Sequence, residues 1–109
     1  MSPPRSNHDA TSDSLARLDR LLEHRARLGA CVLLAGVDAM SFTELREALR
    51  ETDGNLGAQL RKLEDEGYLR ATKEFLNRRP VTWYRLAPRG RKALAIHLAA
   101  LEALIRGAQ

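Results

Sequence analysis

The sequence predicts a single, mainly α-helical domain that carries one small β-hairpin. Three observations support this fold class. Apolar residues recur at helical spacing through most of the 109 residues, a capping box marks one helix start at Ser41, and strand-forming residues flank a polar turn at residues 77–80. A chain of this length suits one domain with a modest core.

The chain is expected to open with a disordered tail at residues 1–11, ahead of a folded domain at residues 12–109. The tail is rich in Pro, Ser, Asn and Asp, and it has too little apolar surface to offset the entropy cost of ordering. A first amphipathic helix is predicted from Ser12 or Ser14 to about Glu23, because its leucines follow a 3.6-residue period.

Two further helices follow in the next part of the chain. The segment from Arg25 to Ala35 is apolar throughout, which predicts a buried central helix that stops near Gly36. The capping box Ser41-Phe42-Thr43-Glu44 then predicts a short helix that ends near Arg50.

A fourth helix is predicted to begin at a Thr52 or Asp53 cap and to end at Gly67, a residue suited to the left-handed conformation. Its leucines lie within about 60° of one another at 100° per residue, so they form its buried edge. These leucines are Leu56, Leu60 and Leu63. Four other residues fall outside that edge: Asn55, Ala58, Gln59 and Lys62.

The hairpin is predicted to pair residues 68–75 with residues 81–86 around the turn Asn77-Arg78-Arg79-Pro80. Pro88 then suits the first turn of a last helix, which runs from Arg89 to Ile105. The apolar residues of this helix are spaced by 4, 3 and 4 residues, a pattern typical of a coiled-coil seam.

Positive charge is concentrated on the hairpin and on the turn that follows it. The whole chain carries +4, but residues 68–91 alone carry +6 and the remainder −2. The basic residues of this segment are Arg70, Lys73, Arg78, Arg79, Arg85, Arg89 and Arg91, against the single acid Glu74. A localised positive field favours a polyanionic partner, although a solvated basic face without function remains the alternative.

Several classes of protein are disfavoured by the sequence. No apolar run approaches the roughly 20 residues that cross a bilayer, and the N-terminus lacks the apolar stretch of a secretory signal, so a cytoplasmic protein is expected. The single Cys31 excludes an internal disulfide. The histidines His8, His24 and His97 are scattered, and no phosphate loop or catalytic motif is present. We therefore expect neither an enzyme nor a metal site or cofactor.

Between Leu18 and Leu104 the chain resembles the winged helix-turn-helix transcriptional regulators of the MarR/ArsR-like kind. The resemblance rests on three ordered segments. They are Thr52-Asp53-Gly54-Asn55-Leu56, Leu60-Arg61-Lys62-Leu63-Glu64-Asp65-Glu66-Gly67-Tyr68, and Arg78-Arg79-Pro80-Val81-Thr82-Trp83-Tyr84-Arg85-Leu86. Two positions depart from the expected pattern: Gly57 replaces a usual Ser, and Ala87 replaces a usual Thr or Ser cap.

The resemblance implies a sequence-specific double-stranded DNA-binding regulator, expected to be a repressor. The helix that begins at Ser41 would brace the Thr52–Glu66 helix, which would lie in the major groove while the basic hairpin contacts phosphates or the minor groove. Asn55 and Gln59 are the expected adenine readers. The full set of expected DNA-binding residues is Thr52, Asn55, Ala58, Gln59, Arg61, Lys62, Lys73, Asn77, Arg78 and Arg79.

A homodimer is also expected, because one winged helix covers too little DNA for selective binding. The terminal helices would form a dimerisation layer through Leu15, Leu18, Leu22, Leu94, Leu98, Leu101 and Ile105. Packing of the two helices on each other within one chain is the alternative. A small-molecule effector is compatible with such a dimer, but the sequence does not identify one.

The main rival function is a winged helix that serves protein contact, in which the basic hairpin binds an acidic partner surface. The two functions differ in what substitution of the hairpin arginines by glutamate would do: only a DNA-binding protein has a specific DNA affinity to lose.

Overall fold

The structure, a computed structural model, describes residues 7–108. This part of the chain forms helices that pack around a central α2, with a three-stranded antiparallel sheet at one side. The elements in order are α1 (Asn7–Ala16), a 3₁₀ turn (Arg20–Glu23), α2 (Arg25–Ala35), β1 (Met40–Ser41), α3 (Phe42–Leu49), α4 (Asp53–Asp65), β2 (Leu69–Leu76), β3 (Arg79–Leu86) and α5 (Pro88–Gly107).

The N-terminal prediction is wrong in part. Helix α1 begins at Asn7 rather than at Ser12, so residues 7–11 are helical, while residues 1–6 of the predicted tail lie outside the described residues. The helix packs along α5. Helical stability in proteins comes mostly from tertiary packing, although residues 8–11 themselves remain exposed.

The first helix also ends earlier than predicted. Helix α1 ends at Ala16, and the backbone is extended at Asp19, where φ is −96° and ψ is 114°. The Asp19 carboxylate accepts a hydrogen bond from the backbone N–H of Leu21 at 2.9 Å and so caps the separate 3₁₀ turn. An Asx-type cap of this kind competes with helix continuation, which explains the break.

The two short helices form as predicted, because their end signals are local. Ser41 Oγ accepts from the Glu44 N–H at 3.1 Å, and Glu44 Oε1 accepts from the Ser41 N–H at 3.0 Å, which completes the capping box of α3. Thr52 caps α4 by accepting from the Asn55 N–H at 3.2 Å. At the other end, Gly67 has a φ of 77° and closes α4 in a Schellman motif.

The sheet has the order β1-β3-β2. The two-residue β1, which the sequence did not predict, pairs Met40 with Tyr84. Strands β2 and β3 form the hairpin, called the wing from here on, with the register Leu69↔Leu86 through Leu76↔Arg79.

The wing is longer and its turn tighter than predicted. Arg79 and Pro80 belong to β3, so only Asn77 and Arg78 remain in the turn. Their φ angles are 51° and 66°. Two left-handed residues match the twist of the flanking strands and allow pairing to continue to Arg79.

The core separates the predicted dimerisation residues into two groups. Leu22 and Leu94 are 0% and 5% exposed and pack in the core with the leucines of α3 and α4. Their assignment to a dimer surface is therefore wrong. The physical reason is that α5 packs on α2 as well as on α1. One part of its apolar stripe, which includes Leu94, is therefore buried in the core, while another part is not.

The remaining predicted dimerisation residues are either partly buried or exposed. Leu18 and Leu101 are partly buried. Leu15, Leu98 and Ile105 are exposed, by 53%, 41% and 62%. The terminal helices thus pack on each other within the chain and still present apolar residues at the surface.

A partly buried polar cluster joins α5 to Asp19, which caps the 3₁₀ turn, and to Tyr68, which precedes β2. His97 of α5 is buried, and its Nδ1 accepts a hydrogen bond from the Asp19 N–H at 2.9 Å. The Tyr68 hydroxyl donates to Asp19 Oδ2 at 2.5 Å. Burial, and then this bond, raises the pKa of Tyr68 to about 12.

Across residues 7–108, no helix is both long and apolar enough to span a membrane.

Candidate nucleic-acid interface

Helix α4 and the wing lie side by side and border a shared groove of about 600 Å³. The helix contributes Gly57, Ala58 and Arg61 to this groove, and the wing contributes Lys73 and Thr82. A Cβ built on Gly57 would meet no other atom within 4 Å, so the backbone of α4 is open to solvent here. Three residues of the expected DNA-binding set, Ala58 and Arg61 of the helix and Lys73 of the wing, therefore line one groove.

Helix α3 braces the N-terminus of α4. Arg46 of α3 donates to the Asp53 carboxylate at 2.7 Å, in the first turn of α4. Hydrogen bonding to Asp53, the largest cause, raises the pKa of Arg46. Because both side chains are partly exposed, the pair orients the two helices more than it stabilises the fold.

A hydrogen-bonded chain, called the amide network from here on, connects α2 to the exposed start of α4. Arg25 Nη1 donates to Glu51 Oε1 at 2.5 Å, and Asn55 Nδ2 donates to Glu51 Oε2 at 2.6 Å. Gln59 Nε2 then donates to Asn55 Oδ1 at 3.4 Å. Arg27 Nη1 completes the network by donating to Gln59 Oε1 at 2.5 Å.

The network favours an ionised Glu51. The hydrogen bond from Asn55 is the main cause that lowers the pKa of Glu51, and Arg25 lowers it further. Because the folded-state pKa is depressed, this contribution to stability is present above the ordinary carboxyl pKa and is lost as the pH falls through the lowered value. The network is thus intact at neutral pH.

Gln59 does not occupy the position that was predicted for a base reader. It is only 8% exposed, and Arg27 holds its carbonyl oxygen. On a helical wheel Gln59 lies about 60° from Leu56, on the same side as Leu63, so helical geometry places it at the border of the buried edge. The prediction that Gln59 reads adenine is wrong for this arrangement.

The other predicted contacts of α4 are at the surface. Asn55 is exposed and its side chain is oriented by the amide network. The remaining exposed residues of the expected set on or beside α4 are Thr52, Ala58, Arg61 and Lys62. Of these, Thr52 has its hydroxyl engaged in the helix cap.

The wing carries several cations that are not engaged within the fold. Lys73, Asn77, Arg78 and Arg79 are all exposed. Among residues 7–108 no ion pair or side-chain hydrogen bond engages Lys73, Arg78 or Arg79.

The basic residues beyond the wing tip are largely neutralised or held by the fold. Arg85 pairs with Asp38 at 2.5 Å, Arg89 lies 3.9 Å from Glu66, and Arg91 donates to the backbone oxygen of Ala35. Of the positive charge carried by residues 68–91, the part that is not paired within the fold therefore lies mainly on the wing.

Two kinds of residue at this surface were not predicted from the sequence. Arg27 and Arg25 belong to the amide network, and no local signal could have shown it because they are distant in sequence from Asn55 and Gln59. Phe75 is 77% exposed on the wing. Phe75 stands close in sequence to the polar turn of a basic hairpin, and this position could have indicated its exposure.

The groups that could suggest another chemistry are not arranged for it. Within the described part of the chain, no three His, Cys, Asp or Glu side chains come together as metal ligands. Cys31 is buried, and this burial, with a smaller contribution from Asp19, raises the pKa of its thiol to about 12. A protonated, enclosed thiol is a core residue.

Comparison with known proteins supports the winged helix fold. Residues 26–105 match a family model described as a winged helix DNA-binding domain. An uncharacterized protein of Methanocaldococcus jannaschii is 36% identical over 67 residues, which cover 62% of this chain and 73% of that protein.

Solved structures show the same fold. A transcriptional regulator homologue from Pyrococcus horikoshii OT3 superposes with a TM-score of 0.81 at 25% identity, covering 93% of this chain and 98% of that one. AbsC, a MarR family transcriptional regulator from Streptomyces coelicolor, superposes with a TM-score of 0.67 at 17% identity, covering 93% and 70%. The resemblance found in the sequence is confirmed, and the chain belongs to the winged helix DNA-binding domain family.

Proposed function

We propose that this protein is a sequence-specific transcriptional regulator that binds double-stranded DNA with α4 in the major groove and the wing on the adjacent backbone or minor groove. The observation that carries this proposal is the shared surface of α4 and the wing. The open face of the helix and the wing residue Lys73 border one groove, and the cations Arg78 and Arg79 lie at the tip of the same wing. Base reading and phosphate anchoring can then occur on one duplex at once.

Asn55 is the proposed adenine reader. Its amide uses one hydrogen on Glu51 and accepts one bond from Gln59. One amide hydrogen and one lone pair remain, and these are the two groups that a bidentate contact with adenine requires. Gln59 and Arg27 then support Asn55 and do not touch the bases themselves.

The remaining contacts divide by chemistry. Arg61 and Lys62 reach guanine acceptors or phosphates, and the Ala58 methyl faces thymine methyl groups. Thr52 lies at the helix N-terminus, where backbone N–H groups favour a phosphate. Asn77, Arg78, Arg79 and Lys73 anchor the wing.

We further propose that the protein acts as a homodimer and as a repressor that occupies its operator. Leu15, Leu98 and Ile105 are exposed on the paired terminal helices and supply the apolar surface for a second copy. Two-fold symmetry would place two α4 helices about 34–36 Å apart, one turn of DNA. A small-molecule effector at the dimer interface would act by changing this spacing.

Duplex binding by the purified protein tests the proposal. We expect the wild-type protein to select a preferred duplex from a random-sequence library, with log affinity falling against log salt at about 0.9 per neutralised phosphate. The Arg78→Glu/Arg79→Glu variant should lose at least tenfold in affinity, because two phosphate contacts become repulsive.

The control carries the same change of charge elsewhere. Arg20→Glu/Lys92→Glu alters two exposed basic residues outside α4 and the wing, so only the weak long-range field should change. Equal losses in both variants would show that net charge alone attracts DNA. A wild-type protein that prefers no duplex sequence would leave the protein-contact function as the better account of the wing.

A further inference from the structure

Phe75 is the most exposed large hydrophobic residue on the wing. Its side chain is 77% exposed, although β2 and β3 are fully paired around it. Directly across the ladder lies Pro80, which is also exposed. An aromatic ring and a proline ring thus form an apolar pair next to the turn.

The surroundings of this pair are cationic. Side chains alternate between the two faces of a strand, so Lys73 lies on the same face of β2 as Phe75, and the acidic Glu74 lies on the opposite face. Arg78 and Arg79 follow within the turn and the first residue of β3. An apolar tip with cations on either side is complementary to a groove of duplex DNA, which has phosphates along its edges and stacked bases between them.

The reach and thickness of the wing match one part of the duplex. Strands of eight residues are about 26 Å long, and the part beyond the buried Leu69 and Tyr84 projects from the core. With α4 in the major groove, that length carries the tip past the flanking phosphates to the neighbouring minor groove. Two strands joined by a two-residue turn are narrow enough to enter it, whereas a helix is not.

We infer that Phe75, backed by Pro80, is an apolar wedge that enters the minor groove and partly unstacks a base step, so that the bound duplex is bent. The inference rests on the proposed function, since it assigns a mode of contact to the same DNA-binding surface. Phenylalanine and proline are among the side chains that bend DNA in this way, and the bends so produced range over about 20–90°.

The test uses the full chain and the duplex that the wild-type protein selects from a random-sequence library. Bending is measured by energy transfer between dyes at the two duplex ends, and unstacking by the fluorescence of 2-aminopurine placed at successive steps. We expect Phe75→Ser to weaken binding about tenfold, as loss of a stacked aromatic side chain does. The bend and the 2-aminopurine signal should fall with it, whereas Phe75→Leu should keep most of both.

The salt dependence separates the wedge from the cations. Phe75→Ser removes no charge, so the slope of log affinity against log salt should stay at the wild-type value, while Arg79→Ala should lower it by about one phosphate contact. Val37→Ser is the matched control, because Val37 is 47% exposed and lies outside α4 and the wing. It should change neither the affinity nor the bend.

Three results would overturn the inference. A Phe75→Ser variant that binds and bends the selected duplex like the wild type would show that the ring does not enter DNA. A variant that loses self-association, with DNA binding unchanged, would assign Phe75 to contact with a second copy. A wild-type protein that selects no duplex at all would remove the proposed function itself, and the wedge with it.

Discussion

Arginine occupies backbone positions in this protein that suit glycine better. Arg50 at the end of α3 and Arg78 in the wing turn have φ angles of 55° and 66°. A left-handed conformation costs a side-chain-bearing residue roughly 1–2 kcal/mol. The paired turn residue Asn77 tolerates such angles well, and Asn-Gly would be the usual turn. Arg78 therefore places a cation at the wing tip but lowers the free energy of unfolding.

The Arg78→Gly variant should make this trade visible. We expect the free energy of unfolding to rise by about 0.5–1 kcal/mol, because glycine relieves the left-handed strain but loses more entropy on folding. DNA affinity should fall at the same time. Urea unfolding and salt-dependent duplex binding measure the two effects.

Arg78→Ala serves as the matched control, since it removes the same charge and keeps the strained φ. It should weaken DNA binding as much as glycine does without any gain in stability. If alanine stabilises the protein equally, the strain at residue 78 is not the cause.

At the level of elements, the packing of α4 against α2 decides which amides face outward. Gln59 is buried because Arg27 on α2 holds its oxygen at 2.5 Å, and Asn55 is oriented in turn. Arg27 is anchored by its own bond to the Leu21 backbone oxygen at 2.5 Å. The orientation of the candidate base reader is thus set by a helix that need not contact DNA.

A double-mutant cycle on Arg27→Met and Gln59→Leu should detect this coupling. Hydrogen bonds to charged groups contribute about 1.5–3 kcal/mol, and partial exposure reduces this value, so we expect a coupling of about 1–2 kcal/mol in urea unfolding. Both single variants should also relax the preference for adenine at the base pair read by Asn55.

The surface pair Arg46 and Asp53 provides the comparison cycle, with Arg46→Met and Asp53→Asn. Its side chains are 33% and 72% exposed, so a coupling below about 1 kcal/mol is expected. Similar values for the two cycles would mean that the Arg27–Gln59 contact is no stronger than an exposed ion pair.

At the level of the whole molecule, the paired terminal helices leave apolar surface that a second copy can cover. The N-terminal part of α5 supplies Leu94 to the core, while Leu98 and Ile105 further along remain exposed. Leu15 of α1 is exposed as well. Such residues on adjacent helices favour a two-fold interface.

The Leu98→Glu/Ile105→Glu variant should be monomeric, because two carboxylates would be placed in an apolar contact. Light scattering after gel filtration should then report half the wild-type mass, and duplex affinity should fall because only one half-site is held. Val37→Glu, at an exposed apolar residue outside α1 and α5, should leave the mass unchanged. An unaltered mass for the double variant would place the dimer interface elsewhere.

The sequence by itself determined the features that depend on neighbouring residues. The capping box at Ser41, the cap at Thr52, the left-handed Gly67 and the leucine edge of α4 were all predicted, because each rests on contacts within a few residues along the chain. The hairpin and the position of its positive charge followed from the same local patterns. Together with the resemblance to winged helix regulators, they predicted the fold.

The tertiary structure alone decided the features that depend on distant residues. Helix α1 packs along α5, and the two-residue β1 exists only through pairing with β3. Leu22 and Leu94 are core residues while Leu98 and Ile105 are exposed, although all four fit the same periodic pattern. A helical period shows which residues share a face, but what covers that face is set by elements elsewhere in the chain.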